Sequence, residues 1–505
     1  MDLHRERVKV IQTSIRHFYE LKRPFRIYHG ATNSTRYCHR SVDNTVNTSS
    51  LSHVLTIDDE NKTALVEANV PMDALLLATL EHNLVPLVVM EFPGITAGGA
   101  YSGTAGESST FRHGFFESTV NSVEIILADG SVFMASRNEN QDLFWGAASS
   151  FGTIGVVTML EIQLRDAAES VELTYYPART MAEATNIIER ETANPEVEYL
   201  DGIIYDKSTI VVCSGRLASL PSGVDAMQFL RPQDPWFSIH VSNLMKGTTS
   251  PVTEYIPLTD YLFRYDRGGF WVAKYAFDYF RTPFNDFTRT KHDRLLHARV
   301  MYHALHTSGL AKENIVQDVA VPYEAAPAFH EWLDEMYGIY PLWICPLRQR
   351  RDGGVTAQHG LHADLADPAA TSEFIMNFGV WGPGSKNRAE FVRQNRLLEA
   401  KVQQLCGKKW LYAHTYYAEH EFWDIYPKQE YDALRAKYKA TYLPSVYDKV
   451  KVDIEAEERA IRASWKARLL WKFWNIWPLR GLYGYYRATS GGDYLLKASA
   501  PTVVI

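Results

Sequence analysis

Between Pro93 and Ser109 the chain sets five glycines, Gly94, Gly98, Gly99, Gly103 and Gly106, among five hydroxyl side chains, Thr96, Ser102, Thr104, Ser108 and Ser109. The segment has neither the 3.6-residue period of a helix nor the alternation of a strand. Glycine reaches left-handed conformations cheaply, and without a Cβ it lets an anion come close to the main-chain N–H groups. The segment therefore reads as an irregular loop built to touch an anion, and a pyrophosphate is the anion it suits. A flexible surface loop is the bland alternative, and the residues downstream of Ser109 argue against it.

After His113-Gly114, the stretch Val120 to Leu127 alternates, Asp129-Gly130 supplies a turn, and Ser131-Val132 opens a second strand, together a β-hairpin. Asn140-Gln141-Asp142-Leu143-Phe144-Trp145-Gly146 then leads to Phe151-Gly152-Thr153-Ile154-Gly155-Val156-Val157, a glycine turn entering an apolar strand. Upstream, the spacing predicts a helix over Val8 to Leu21 and a short strand at Arg26 to Tyr28. Two strands within Leu55 to Ala68, a helix from Met72 to His82 and a buried strand from Leu84 to Met90 come next. Strands and helices interleave without βαβ spacing, which predicts an α+β fold. A GxGxxG after a strand is missing, so no dedicated Rossmann site for a nicotinamide cofactor is visible.

Further on, a helix is expected from Tyr323 to Met336, a strand at Leu342 to Cys345 and an amphipathic helix from Glu390 to Leu405, with Asp260 to Asn285 as a candidate lid. With 505 residues, 46% apolar and 22% charged, the chain can bury more than one core. A formal net charge of −7 argues against a nucleic-acid partner. The four cysteines, Cys38, Cys213, Cys345 and Cys406, form no CxxC pair and no metal-like spacing, so reduced thiols and no metal site are expected. Met1 to Arg7 is too charged for a signal peptide, and no apolar run nears the roughly 18 residues of a spanning helix.

The succession of glycine loop, Ala128-Asp129-Gly130, Asp142-Leu143-Phe144-Trp145 and Phe151-Gly152-Thr153-Ile154-Gly155 resembles the flavoproteins of the vanillyl-alcohol-oxidase superfamily. Val316-Gln317-Asp318-Val319-Ala320-Val321-Pro322, Tyr340 to Leu347, Leu411-Tyr412-Ala413, Glu421-Phe422-Trp423 and Pro444 to Val450 extend the resemblance to the Δ24-sterol reductase family, over roughly residues 20 to 450. The resemblance implies a two-lobed FAD-binding domain at 1–168 and a substrate (cap) domain on an antiparallel sheet at 169–415. A return segment at 416–455 and an aromatic, basic extension at 456–505 complete the expected division. It implies FAD as cofactor, with contacts from Gly30, Thr32, Asn33 and Ser34 in a first loop. Thr96, Gly98, Gly99, Gly103, Gly106, Glu107 and Ser109 are expected in a second loop, and Gly152, Thr153, Gly155 and Val156 in a third. Where relatives often carry a histidine that links the flavin covalently, this chain has Asn33, so non-covalent FAD is expected and His29 is expected to be structural.

The implied reaction is reduction of a carbon–carbon double bond in a sterol or related lipophilic substrate, with NADPH as electron donor. An electron-rich alkene needs a positioned acid as hydride arrives. Tyr412 is the first candidate, with His414 to replenish it. Cys345 is a further candidate, and Arg348 is expected to offset charge at the reduced flavin. Asp318 is expected to hold the loop before Val321-Pro322. Two other readings stand beside this one: an oxidase or dehydrogenase passing electrons to oxygen, and a non-catalytic lipid-binding relative.

In the tail, Trp465, Leu469, Phe473, Ile476 and Trp477 follow helical spacing among Lys466, Arg468, Lys472 and Arg480, the composition of a helix lying in a bilayer interface or docked on the protein's own surface. The family it resembles typically has a membrane-spanning anchor at its N-terminus, and none is expected from the residues of this sequence. The expected location is intracellular, cytoplasmic or peripheral on the endoplasmic reticulum membrane.

Overall fold

A computed structural model describes residues 1–29, 44–349, 373–456 and 474–490, with 459, 465 and 469 besides. Two antiparallel sheets divide it. The first runs in the order Val54–Asp58, Thr63–Glu67, Gly155–Asp166, Val120–Leu127 and Val132–Ser136, with Leu84–Pro86 added at the far end of the long Gly155–Asp166 strand. Pairing of Val120–Leu127 with Val132–Ser136 is the expected hairpin, and Gly130 takes the positive φ of 85° that its turn requires. A two-stranded parallel ribbon, Arg26–Tyr28 with Thr45–Asn47, stands beside this sheet.

The second sheet has eight strands, in the order Val252–Pro257, Ser170–Ala178, Thr209–Ala218, Tyr199–Asp206, Leu342–Arg348, Phe374–Pro383, Asn314–Pro322 and Lys408–Lys409. Helices Met181–Ala193, Ala326–Met336 and Arg388–Gln404 cover one face, burying Ile188, Phe329, Leu333 and Leu398. The alternation of each strand decides what the other face carries. In Leu342–Arg348, Leu342 and Ile344 pack toward the helices, whereas Trp343, Cys345 and Leu347 join the core shared with the first sheet. Along Asn314–Pro322, Ile315, Val319 and Val321 likewise meet the helices, so Val316, Asp318 and Ala320 turn toward the first sheet. The mixture of helix and antiparallel sheet is the expected α+β class.

Several expected elements shift. The segment from Leu84 to Met90 is a strand only over Leu84–Pro86. The glycine segment is not irregular throughout: Ala97–Ser102 is a short helix, capped by the Thr96 side chain, which accepts a hydrogen bond from Gly99 N at 3.2 Å. The block from Asp260 to Asn285 is no detached lid, because Arg264 and Arg267 within it are 1% exposed and packed into the core. Most of the expected tail helix lies outside the described residues. In the described part Trp465, Leu469 and Trp474 are helical as expected, but Ile476 and Trp477 sit in a turn, and a further helix begins at Leu479, directly after Pro478. Proline lacks the donor a helix interior needs but suits its first turn.

The first helix begins at Asp2, earlier than its apolar period predicts, and buries His4 between Glu67 and Glu124 at 2.9 and 3.0 Å. Burial opposes a charge on the ring, but the two carboxylates outweigh it and hold His4 at about 9. With the folded value above the ordinary 6.5, this stabilisation is complete below about 6.5 and is lost as pH rises through about 9. Thermal melts should therefore drop between pH 7 and pH 9.5, and His4→Gln should flatten that dependence; an unchanged slope in the variant would mean that the drop has another origin.

Candidate active site

A cavity of about 1280 Å3 lies between the two sheets. A single ligand pocket usually encloses about 300 to 1,000 Å3, so the space suits a large cofactor with a second molecule. Part of its wall is the glycine-rich segment and the Phe151–Val157 turn, and part is a cage of rings.

In the glycine part, Thr96, Gly98, Gly99, Gly103 and Gly106 line the cavity, as do Gly152, Gly155 and Val156. Their role differs from a cradle of free donors. Ala97 N donates to Val70 O, Gly98 N to Ala68 O at 2.7 Å, Gly99 N to Thr96 Oγ1 and Ala100 N to Thr96 O, so these groups are committed to the protein. The glycines act through shape. A Cβ on Gly98 would lie 2.8 Å from the Ala68 Cβ, which explains how the loop seats on its neighbour. Gly99 is open to solvent, and beyond Thr96 Oγ1 at 3.0 Å a Cβ there meets nothing within 4 Å, so any side chain would enter the cavity space. At Gly152, φ is 70° and a Cβ would lie 2.6 Å from Ile27 Cδ1.

Glu107, Ser109 and Thr153 are not in the cavity wall. Both serines beside Glu107 bond its carboxylate, Ser108 at 2.8 Å and Ser109 more closely, and Thr153 Oγ1 donates to Ser150 O and accepts from the Tyr431 hydroxyl at 2.8 Å. These three hold the loops rather than face the space between them. Gly30, Thr32, Asn33 and Ser34 lie outside the described residues; His29, just before them, reaches the cavity wall. Sequence reasoning missed two cations in the cavity wall, Arg26 and Lys449. Lys449 Nζ donates to Phe151 O at 2.7 Å, tying the segment from Pro444 to Val450 to the third loop. The cations and the glycine wall fit a dinucleotide carrying a pyrophosphate.

Phe92, Phe270, Tyr302, Trp343 and Trp381 also line the space. Phe270 lies 4.5 Å from the Trp381 ring and 5.7 Å from that of Phe92. Into this cage project Tyr412 and Asp318, whose side chains are joined: the Tyr412 hydroxyl donates to Asp318 Oδ2, which also accepts from Trp381 Nε1 at 3.0 Å, while Asn377 Nδ2 donates to Oδ1 at 3.2 Å. Burial pushes Asp318 up to about 6 against these hydrogen bonds and the nearby Lys409 charge, and burial, helped by Asp318, holds Tyr412 well above the usual phenol range. Tyr412 therefore stays a phenol. Asp318 does not hold a loop, as the sequence suggested; it is the partner of Tyr412.

The other candidates stand apart from the cavity wall. Cys345 is buried with its thiol against Glu107 O at 3.5 Å, and burial raises it well above the usual thiol range, so it packs as a neutral thiol. Arg348 is half exposed and pairs with Glu373 at 2.6 Å. The His414 carbonyl accepts from Gln317 Nε2 at 3.2 Å and Lys409 Nζ at 3.0 Å, which fixes the backbone two residues beyond Tyr412. Among the further acids that line the cavity, Glu91 is raised well above the carboxylate range by burial and by Glu107, and has no hydrogen-bond partner for Oε1 among the described residues.

A family model described as FAD binding domain matches residues 6–136. With the two-sheet α+β fold and this cavity, the match gives the class: an FAD-dependent oxidoreductase that carries an FAD-binding domain of the vanillyl-alcohol-oxidase type. Within that class it is similar to Delta(24)-sterol reductase of Homo sapiens, 27% identical over 414 residues that cover 79% of this chain and 76% of the relative. The Arabidopsis thaliana Delta(24)-sterol reductase is 27% identical over 446 residues, covering 81% and 77%. Cytokinin dehydrogenase 4 of Oryza sativa subsp. japonica is 29% identical over 153 residues, 30% of this chain and 29% of the relative.

Proposed function

We propose that this protein reduces a carbon–carbon double bond in a sterol or a related lipophilic molecule, with FAD bound non-covalently and NADPH as the electron donor. Bound FAD would supply hydride chemistry at its N5. The observation that carries the reading is the Tyr412–Asp318 pair, an acid placed among aromatic rings in the wall of the same cavity that the glycine loops line. The chain's own part is to exclude water, hold the apolar substrate against Phe270, Trp343 and Trp381, and deliver a proton from Tyr412 to one alkene carbon as hydride reaches the other. Ring faces around the reacting carbons favour any positive charge that develops there. Arg26 and Lys449 would hold the pyrophosphate, and Glu107, Ser109 and Thr153 keep the loops beside it in place.

Stopped-flow absorbance separates this reading from an oxidase. NADPH should bleach the flavin on the time scale of turnover, and the bleached enzyme should recover its colour faster with a side-chain-unsaturated sterol than with air-saturated buffer. Fast recovery in oxygen with no response to the sterol would assign the protein to the oxidases.

A further inference from the structure

The cavity reaches the surface beside the last described helix. Leu482 and Tyr485 both line the cavity and are about half exposed, so helix Leu479–Ser490 forms part of its mouth. Its inner face is small: Gly481 sits against Tyr279 and Phe280, and Gly484 approaches helix Ala298–Ser308 so closely that a Cβ would lie 2.7 Å from Ala304 O. The turn before it is fastened too, Trp477 Nε1 donating to Tyr279 O at 2.8 Å and Arg480 to Ser308 O at 3.0 Å. This rim is therefore part of the packed body.

The outward side of the rim is apolar and aromatic. Ile476, Trp477, Leu482, Tyr485 and Tyr486 are between 46% and 62% exposed. Single exposed apolar residues are ordinary, but a strip of them at a cavity mouth marks a binding surface. Charge says which surface. Residues 474–490, the described end of the chain, hold Arg480 and Arg487 and no Asp or Glu, in a chain where 59 acidic residues outnumber 52 basic ones. Arg487 and Arg281 are exposed, Arg281 with its guanidinium 4.7 Å from the Trp477 ring. Tryptophan and tyrosine interleaved with cations suit the headgroup level of a bilayer whose surface is anionic.

We propose that this rim docks on an anionic lipid bilayer and opens the cavity directly into it, so that the substrate enters from the membrane without crossing water. The inference rests on the lipophilic-substrate reading for its purpose, but docking is measured without substrate, so either can fail alone. The FAD-loaded protein should sediment with vesicles of phosphatidylcholine and phosphatidylserine and only weakly with phosphatidylcholine alone, and salt should weaken the association. Arg281→Glu and Arg487→Glu should each lower partitioning about fivefold or more. Ile476→Ser with Tyr486→Ser, neither of which lines the cavity, should lower it while flavin content and activity on detergent-solubilised sterol stay at the parent level. Equal partitioning of parent and variants would overturn the proposal. So would a second copy covering the rim: a dimer in sedimentation velocity that these substitutions dissociate, with no vesicle binding by the parent.

Discussion

Tyr412→Phe is expected to lower turnover on a side-chain-unsaturated sterol by about 100-fold or more, the usual scale of a general-acid contribution. The ring stays, and with it the packing at the cavity wall, so flavin content should match the parent. Reduction of the flavin by NADPH should be nearly unchanged, because that half-reaction needs no proton from the phenol. Geometry adds a pH signature. The Tyr412 hydroxyl points its hydrogen at Asp318 Oδ2, so proton delivery into the cavity requires resupply from a protonated Asp318. Burial places Asp318 at about 6, and the protonated form therefore declines as pH rises through that region. Turnover should fall across the same limb, reported as a property of the coupled pair rather than of one residue. Asp318→Asn, which cannot relay the proton, should slow the alkene step and erase the limb. Near-parental turnover in Tyr412→Phe would make the tyrosine structural and turn attention to Glu91.

How far the sequence reveals this site depends on the kind of signal each residue leaves. Gly98, Gly99 and Gly103 were legible because a missing Cβ is a statement about space, and space is what they provide. That the segment's own N–H groups are committed, Ala97 to Val70 O and Gly98 to Ala68 O, was not legible, since those acceptors are brought from elsewhere in the chain. Tyr412 stood out through its motif. Its partner Asp318 lies 94 positions away and meets it only because alternation along Asn314–Pro322 turns Asp318 to the cavity face. The pattern Val316-x-Asp318-x-Ala320 carried that signal in the strand's two-residue period. Arg26 and Lys449 left no comparable trace, one at the start of a three-residue strand and the other on a five-residue helix. Cys345 and Arg348 share a strand with Trp343, but burial takes the first into the core and the strand's end leaves the second half in water.

The block from Asp260 to Asn285 carries the largest expected effect on stability, at Arg264. Its guanidinium, 1% exposed, donates to Asp201 Oδ2 at 2.8 Å, and the Tyr265 hydroxyl and Trp343 Nε1 converge on the same oxygen at 2.9 and 3.0 Å. The Tyr261 and Tyr265 rings flank the cation at 4.0 and 4.6 Å. Asp201 and Trp343 belong to the second sheet, while Glu91 and Glu107, which Arg264 also offsets, come from the first-sheet side. One buried cation thus serves acids on both sides of the cavity. Arg264→Met keeps most of the apolar stem and removes the charge, leaving Asp201, itself fully buried, without its counter-ion. Breaking a buried pair from one side costs about 3 to 5 kcal/mol, far more than the pair's net contribution, because the stranded charge has no water to replace its partner. Arg264→Met should therefore melt several degrees below the parent, and adding Asp201→Asn should recover most of the loss, since the amide needs no counter-ion. If the single variant melts with the parent, or the second substitution deepens the loss, the Asp201 charge is balanced by something other than Arg264.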